Sequence, residues 1–238
     1  MRSEQIMLSG DFDNLQAFLL RLNESCLLMA RHGETDWNAG NLIQGQQDRP
    51  LSPLGYQQRK DLFYMLLDVP IVHIYTSQLQ RAIETARPIS EEKQITLQSF
   101  QALNEAKLGV FEGEHKVYFA DAYSKQIYTD FLRDEVNIAL PGGGENLKMV
   151  YERIKSDVDQ IVNEIADSGH SLVVTHRNVS KMIIKHLLDL SFAEGFGLEH
   201  KNDWLYIFGA ESRQLFVTDI PSPGNKIRIQ VGIKAEID

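Results

Sequence analysis

The chain has 238 residues, of which 43% are hydrophobic and 24% charged, and this balance fits one soluble α/β domain rather than a disordered chain. Its formal net charge of -9 argues against nucleic acid and against anionic membranes as partners. Because no apolar run approaches the span of a bilayer and no signal-peptide pattern opens the sequence, we expect a cytoplasmic protein.

The first half of the chain alternates between helical and strand-like segments. Residues 11–23 carry apolar residues at helical spacing and predict an extra N-terminal helix. The run 26–30 is typical of a buried parallel strand; it contains the single cysteine, so no internal disulfide can form and a reducing compartment is expected. Ser52 and Pro53 provide an N-cap and a first-turn proline for the next helix. The following predicted elements are a strand at 72–75, a helix at about 79–89 and a strand at 96–103.

The second half continues the alternation. Residues 114–134 are aromatic-rich and predict a helix, and the Gly-rich break at 141–144 precedes a long amphipathic helix. The remaining predicted elements are a buried strand at 171–174, a helix at about 179–190, strands near 204–208 and 214–219, and an extra C-terminal strand at about 226–232. This pattern predicts a single α/β domain over residues 1–238, with a mostly parallel mixed sheet flanked by helices on both faces.

Basic residues recur where the predicted strands end. Arg31 and His32 follow the first strand, Arg81 lies in the first turn of the helix after the second, and His176 and Arg177 follow the strand at 171–174. Taken alone, Arg81 could be a surface arginine and His176 a structural histidine. In an open α/β sheet, however, ligands bind at the carboxyl ends of strands. An imidazole that can attack an electrophile, beside cations that can hold an anion, indicates phosphoryl transfer through histidine.

Several sequence blocks resemble one known family. The octet 31–38 is similar to the Arg-His-Gly-Glu-Thr-x-Trp-Asn signature of the histidine phosphatase superfamily, which contains cofactor-dependent phosphoglycerate mutase and fructose-2,6-bisphosphatase. Similar blocks follow at 44–55, 77–86 and 103–113, and the resemblance covers roughly residues 26–220. It implies a phosphoglycerate mutase-like fold.

The resemblance also implies roles for individual residues. It makes His32 the nucleophile and Glu105 the acidic proton donor. The phosphate pocket that it implies consists of Arg31, Arg81 and His176. The further phosphate and substrate contacts that it implies are Asn38, Gln44 and Gly45.

Physical chemistry supports these roles. Arg31 and Arg81 offer forked donors to the equatorial oxygens of a phosphoryl group, and their charges disfavour protonation of His32. Glu105 can protonate a leaving alkoxide and then activate water. This arrangement needs neither a metal nor a cofactor, and the histidines lack the dense spacing of a zinc site.

Two departures from the family pattern bear on the substrate. Mutases follow their acidic residue with Arg-His-Tyr-Gly, whereas the stretch 105–109 here resembles the phosphatase branch. Arg177 replaces the small residue that usually follows the second histidine. It could contact a second anionic group of the substrate, or it could turn to solvent or pair with an acidic neighbour.

The main hypothesis is therefore a metal-independent phosphatase that acts on phosphorylated small molecules through phosphohistidine. The alternatives are a cofactor-dependent phosphoglycerate mutase and a weakly catalytic module that binds phosphorylated ligands. The extra N-terminal helix and C-terminal strand could cover a sheet edge or form the surface of a homodimer.

Overall fold

The computed structural model describes residues 8–165 and 169–232. Its strands are β1 (Gly10–Phe12), β2 (Cys26–Arg31), β3 (Ile71–Ser77), β4 (Leu97–Phe100), β5 (His170–Thr175), β6 (Trp204–Gly209), β7 (Leu215–Asp219) and β8 (Ile227–Val231). Its helices are α1 (Leu15–Leu22), α2 (Asp36–Ala39), α3 (Pro53–Leu66), α4 (Gln80–Lys93), α5 (Ala122–Arg133), α6 (Leu147–Ile165), α7 (Arg177–Leu187) and α8 (Phe192–Phe196). Within these ranges, no helix has the length and apolar character needed to cross a membrane.

These eight strands form one mixed sheet, as the alternating pattern predicts. Their order in the sheet is β1-β8-β7-β6-β2-β5-β3-β4. Strands β2, β5, β3 and β4 pair in parallel, whereas β6, β7, β8 and β1 extend the sheet through antiparallel pairs. Because β2, β5 and β3 are parallel neighbours, their carboxyl ends meet at one edge of the sheet. This edge brings together the residues that follow Arg31, Thr175 and Ser77.

The sheet is buried on both faces, and strand β2 shows how. Successive side chains of a strand point to opposite faces. Cys26 and Leu28 accordingly pack with helices α1, α3 and α4, whereas Leu27 and Met29 pack with α6 and α7. A strand that is covered on both faces needs apolar residues at every position, which is why β2 forms a continuous apolar run.

Helix α1 is shorter than the expected helix at 11–23. Residues 10–12 form strand β1, which pairs with β8 and covers the edge of the sheet. The helix begins at Leu15 because Asn14 has an extended backbone and its side chain accepts a hydrogen bond from Ala17 N at 2.9 Å. The expected cap of α3 is confirmed, since Ser52 Oγ accepts from Gly55 N at 3.1 Å.

The expected helix at 114–134 and strand at 96–103 are also longer than the observed elements. Of the residues 114–134, only Ala122–Arg133 are helical. The start of the segment pairs with another loop instead, because Ile43 N donates to the carbonyl of Glu114 at 2.8 Å and Lys116 N donates to that of Asn41 at 2.9 Å. Strand β4 ends at Phe100 and continues as a 3₁₀ turn.

Phe18 ties the N-terminal extension to the core. Its ring is fully buried and makes edge-on contacts with Phe12 and Phe216, with centroids 5.2 and 5.1 Å apart. We expect Phe18→Ala to lower the free energy of unfolding by about 3–5 kcal/mol, because it leaves a cavity in a packed core. Denaturant titration measures this change. Leu20→Ala, on the exposed face of the same helix, is the matched control and should cost less than about 0.5 kcal/mol. Equal effects of the two variants would mean that the extension is not part of the core.

Candidate active site

His32 lies directly after β2 and is held from both its backbone and its ring. Its N–H donates to the carbonyl of Thr175 at 3.0 Å, which extends the β2–β5 ladder by one bond. Ring atom Nδ1 lies 2.7 Å from the carbonyl oxygen of Gly33. A carbonyl can only accept, so Nδ1 carries the proton and, in the neutral ring, Nε2 carries the lone pair. Within the described residues, Nε2 makes no hydrogen bond.

The backbone at Gly33 approaches helix α3 closely. A Cβ atom at this position would lie 2.6 Å from the carbonyl oxygen of Gly55, so a side chain here would force the backbone apart. Gly33 N donates to Thr85 Oγ1 at 3.0 Å, and this hydroxyl donates to the carbonyl of Arg81 at 2.7 Å. The carbonyl that orients His32 is thus fixed to helix α4.

The electrostatic surroundings keep His32 neutral. Burial, followed by the charges of Arg81 and Arg31, lowers the pKa of His32 well below its usual value. The ring is therefore uncharged at neutral pH, with a basic Nε2.

Arg81 is buried, and no carboxylate of residues 8–165 or 169–232 is bound to it. Its Nη2 donates to the carbonyl of Gly45 and its Nη1 to that of Gln47, both at 2.8 Å, while Nε donates to His176 Nδ1 at 3.3 Å. Burial lowers the pKa of Arg81 to about 10, with nearby Glu105 opposing the shift, so the guanidinium stays charged at neutral pH. Its remaining N–H groups are left for a ligand.

His176 is fully buried behind Arg81. Because its Nδ1 accepts from Arg81, the proton of the neutral ring lies on Nε2, which donates to Ser77 Oγ at 2.7 Å. Burial, then the charge of Arg81, lowers the pKa of His176 well below its usual value. The rings of His176 and His32 have centroids 5.0 Å apart.

Glu105 is held by backbone donors at the opposite side of the site. Its Oε1 accepts from Ala106 N at 2.9 Å, and Oε2 lies 3.5 Å from the N–H of Asn178 in the first turn of α7. Arg153 supports the backbone at 104–105, because its guanidinium donates to the carbonyls of Asn104 and Glu105 at 2.7 and 3.1 Å. The same guanidinium pairs with Glu145 at 2.8 Å.

A cavity of about 120 Å³ lies among these residues. Eight of the nine residues expected from the sequence line it: Arg31, His32, Asn38, Gln44, Gly45, Arg81, Glu105 and Arg177. The ninth, His176, contacts Arg81 instead. The other lining residues form a mainly apolar outer wall, together with Lys116, Glu135 and Asn178. In the described ranges, no three His, Cys, Asp or Glu side chains are grouped so that they could hold a metal ion.

Asn38 and Gln44 are organised around Thr35, and Gly45 is fixed by its own backbone conformation. Asn38 Oδ1 accepts from Thr35 N at 3.2 Å, and Gln44 Oε1 accepts from Thr35 Oγ1 at 2.8 Å. Gly45 has a φ of 55°, and a Cβ there would overlap the carboxyl group of Glu112. A residue without a side chain is therefore required where the carbonyl turns towards Arg81.

Arg177 lines the cavity and pairs with an acidic neighbour, which is one of the two alternatives expected for it, while contact with the substrate stays a prediction. Its Nη2 donates to Glu199 Oε1 at 2.6 Å and its Nε to Oε2 at 3.3 Å, a bidentate pair, while Nη1 lies 3.8 Å from Glu135 Oε1. Burial acts to lower the pKa of Arg177, but the hydrogen bond with Glu199 and the charges of both carboxylates outweigh it and raise the pKa. Its charge is compensated within the protein.

Glu112, which lies in the same sequence block as Glu105 and is a substitute to test for the proton donor, instead holds the loop that binds Arg81. Glu112 Oε1 accepts from Gln46 N and Leu108 N at 3.1 and 2.9 Å, and Oε2 accepts from Gln47 Nε2 at 3.0 Å. The feature of the sequence that points to Glu112 is its place in the block at 103–113.

Two further cavity residues carried no sequence signal. Glu135 follows helix α5 and is 5% exposed, with Oε2 unpaired within the described residues; burial raises its pKa, with Arg177 opposing. Lys116 lies on the irregular segment before α5. Acidic and basic residues in such segments are mostly solvated, so only tertiary structure reveals their position.

Comparison with known proteins agrees with this architecture. The family model of the histidine phosphatase superfamily (branch 1) matches residues 27–220. The chain is 30% identical to adenosylcobalamin/alpha-ribazole phosphatase of Salmonella typhimurium over 169 residues, which cover 70% of this chain and 81% of that one. It is also 30% identical to 2,3-bisphosphoglycerate-dependent phosphoglycerate mutase of Cytophaga hutchinsonii over 168 residues, covering 69% and 78% of the two chains.

Among solved structures, a mycobacterial glucosyl-3-phosphoglycerate phosphatase complexed with VO3 superposes with a TM-score of 0.67 at 25% identity, covering 89% of this chain and 98% of that one. The expected fold is confirmed, and the family match spans β2 to the residue after β7. The chain belongs to the histidine phosphatase superfamily, branch 1.

Proposed function

We propose that the protein is a metal-independent phosphatase that hydrolyses phosphomonoesters through a phosphohistidine formed on His32. The observation that carries this proposal is the state of that ring. His32 is neutral, its Nδ1–H is held by the carbonyl of Gly33, and Nε2 is left without a partner in the described chain, in a cavity that also presents Arg31 and Arg81. A nucleophilic imidazole needs this combination of a free lone pair, a fixed orientation and a nearby anion site.

The two arginines provide charge stabilisation. Arg31 and Arg81 can neutralise the equatorial oxygens of the phosphoryl group in the transition state, a task for fixed cations in a partly buried site. Nε of Arg31 is buried without a hydrogen-bond partner in the described chain, and Arg81 is bound only by neutral groups. Among the residues that the structure describes, no carboxylate contacts either guanidinium directly, so both charges can act on a ligand.

The reaction divides into two balanced steps. First, Nε2 of His32 attacks phosphorus, the bond from phosphorus to the leaving oxygen breaks, and Glu105 donates its proton to that oxygen. The phosphorylated ring is cationic, and its Nδ1–H remains bound to the carbonyl of Gly33. Second, Glu105 accepts a proton from water, the water oxygen attacks phosphorus, and the phosphorus–nitrogen bond breaks. Inorganic phosphate leaves and His32 is neutral again.

The runner-up is a cofactor-dependent phosphoglycerate mutase, because relatives of both kinds are similar to this chain. A mutase passes the phosphoryl group from histidine back to an organic hydroxyl, whereas a phosphatase passes it to water. The residues after Glu105 favour the phosphatase, since they lack the Arg-His-Tyr-Gly block of mutases. Release of inorganic phosphate from a generic aryl phosphate, assayed with EDTA, distinguishes the two and also distinguishes an enzyme from a module that only binds phosphorylated ligands.

We expect His32→Ala to abolish turnover while leaving the fold intact. Rapid acid-free quenching of the native protein with ³²P-labelled substrate should give label that is stable to base and labile to acid, the signature of phosphohistidine. The matched control is His186→Ala, because His186 pairs with Asp159 outside the cavity and should retain turnover and label. Normal turnover of His32→Ala, or label on serine, would refute the mechanism.

We expect Glu105→Gln to slow hydrolysis of alkyl phosphates much more than that of aryl phosphates, whose leaving groups need less protonation. General acid catalysis contributes about 10²–10⁴-fold, so the two kcat ratios should differ by at least about tenfold. Steady-state kinetics with phenyl and 4-nitrophenyl phosphate against propyl phosphate measures the difference. Glu152→Gln, at an exposed position of α6 where the side chain pairs with Lys155, serves as control. Equal losses on all substrates would assign proton transfer to another group.

The lowered pKa of His32 makes the stability of the protein depend on pH. The unfolded histidine binds a proton below about pH 6.5 whereas the folded one does not, so stability falls as the pH drops below that value. Between pH 7 and pH 5 the loss that belongs to His32 is at most about 2 kcal/mol, at 1.36 kcal/mol per pH unit of proton uptake by the unfolded ring. Urea unfolding at pH 7 and pH 5 tests this. The free energy of unfolding of His32→Asn should fall by up to about 2 kcal/mol less over this range than that of the native chain. Identical losses would mean that the folded ring is protonated at pH 5.

A further inference from the structure

The peptide group between His32 and Gly33 is bound at both of its polar atoms. Its carbonyl oxygen, which belongs to His32, accepts a hydrogen bond from Asn202 Nδ2 at 2.5 Å. Its N–H, which belongs to Gly33, donates to Thr85 Oγ1 at 3.0 Å. Because a peptide group is planar, two bonds at its opposite edges fix its orientation. The backbone that follows the nucleophile therefore has a defined direction.

That direction reaches the reactive ring through the next carbonyl. The oxygen of Gly33 accepts from Nδ1 of His32 at 2.7 Å, and within the part of the chain that the structure describes this is the only hydrogen bond of the ring. If the peptide group turned, the Gly33 carbonyl would move and the ring would turn with it. Attack on phosphorus tolerates little misalignment, since the reacting atoms have to approach in line. A bond that holds the peptide group thus holds the nucleophile.

Asn202 lies on a segment that is anchored to the sheet. It precedes strand β6, and Tyr206 Oη on that strand donates to the carbonyl of Glu199 at 2.8 Å. The carbonyl of His200 accepts from Arg31 Nη1 at 3.3 Å, so the same segment also contacts the cation beside the nucleophile. Asn202 itself is not among the residues that line the cavity. Its contact with the site therefore runs through the backbone.

We propose that Asn202 is a positioning residue for the nucleophile, which it keeps in line with phosphorus by holding the carbonyl of His32. This inference rests on the proposed phosphatase function, and it adds a residue that acts through the backbone instead of through the substrate. The bond is made whether or not a substrate is bound. Its loss should therefore slow phosphoryl transfer and leave the affinity for the phosphate group nearly unchanged.

Two variants of Asn202 test the proposal by kinetics. Asn202→Ala removes the donor, and Asn202→Asp keeps the shape of the side chain but replaces the donor with a second acceptor. We expect both to slow phosphohistidine formation from ³²P-labelled 4-nitrophenyl phosphate by about tenfold to a hundredfold in single-turnover quenching. The inhibition constant of inorganic phosphate should change by less than about twofold. Asn163→Ala, at an exposed position of α6, is the matched control and should keep native kinetics.

The substrate series separates positioning from proton transfer. Loss of alignment slows the attack itself, so the variants of Asn202 should lose the same factor on aryl and alkyl phosphates. Glu105→Gln, by contrast, should affect alkyl phosphates most. A loss in Asn202→Ala that is confined to alkyl phosphates would overturn the positioning role.

The Nδ1 proton of His32 gives a signal that does not depend on turnover. In the native protein, ¹⁵N NMR should show this proton in slow exchange with solvent, because the carbonyl of Gly33 holds it. In Asn202→Ala the exchange should be faster by about tenfold, the effect of weakening one buried hydrogen bond. If Asn202 only supported the fold, its loss would lower the free energy of unfolding and leave this exchange rate as it is.

Thr85 tests the same peptide group from its other end. Thr85→Val removes the acceptor of the Gly33 N–H, whereas Thr85→Ser keeps it and should retain native kinetics. Because both bonds act on one peptide group, the double variant Thr85→Val with Asn202→Ala should lose less than the product of the two single losses. Fully multiplicative losses would mean that Asn202 does not act through this peptide group.

The outcomes separate the two proposals. Absence of phosphate release from an aryl phosphate by the native protein would overturn the proposed function, and the exchange of the Nδ1 proton would still test the hold on the ring. Native rates of phosphohistidine formation and of proton exchange in Asn202→Ala would overturn the role of Asn202 and leave the phosphatase standing. An increase in the inhibition constant of phosphate as large as the loss in rate would also overturn it, because Asn202 would then shape the anion site.

Discussion

The site depends on a buried guanidinium whose charge the protein does not neutralise by contact. Arg81 is 1% exposed, and its partners are two backbone carbonyls and a neutral imidazole. Removing a charge from water without an opposing charge is costly, so this arrangement has to be maintained by the surrounding fold. The same lack of compensation makes the guanidinium available to a phosphate dianion. Anion binding should therefore stabilise the folded protein beyond the contacts that the phosphate itself makes.

The loop at 45–48 is built to keep that guanidinium in place. Asp48 accepts from Gln80 N at 2.9 Å and caps helix α4 in place of Leu79, which has no side-chain oxygen to offer. Glu112 holds the same loop from the other side, because its carboxylate accepts a hydrogen bond from Gln46 N and another from Leu108 N. Loop and helix thus fix each other, and Arg81 joins them. A change at Glu112 would reach the phosphate pocket without touching a ligand, since it would release the carbonyls that orient the guanidinium.

The parts that could be predicted from the sequence are those encoded locally. The sequence of strand β2 is apolar throughout because both of its faces are covered, and this pattern predicts a buried strand. Ser52 indicates the start of a helix because its side-chain oxygen caps the first turn. The residues of the expected phosphate pocket come together because each follows a parallel strand or opens a helix, and the sheet topology brings these positions to one edge. Site residues carried over from the family motif also converge, although their chemical roles remain proposals.

What could not be predicted depends on contacts between distant segments. Residues 10–12 form a strand only because β8, more than 200 residues later, offers an edge to pair with, and local apolar spacing favoured a helix. The segment at 114–121 is not helical because it pairs with residues 41–43. Lys116 and Glu135 face the cavity as a consequence of that pairing and of where α5 ends, and nothing in their neighbouring sequence indicates this.

The two halves of the cavity therefore have different origins, which bears on how specificity is set. The phosphate side is formed by strand ends and by the first turn of α4, and it is rigidly tied to the core of the sheet. The leaving-group side is formed by the segment from 113 to 135, whose Tyr128 and Phe131 pack in a small core with Ile43 and Phe111. Side chains on that segment can change without disturbing Arg81 or His32, because the hydrogen bonds that join the two halves run between backbone atoms of residues 41–43 and 113–116. The shape and charge of the leaving-group side can therefore vary on this fold while the residues of the phosphate side stay in place.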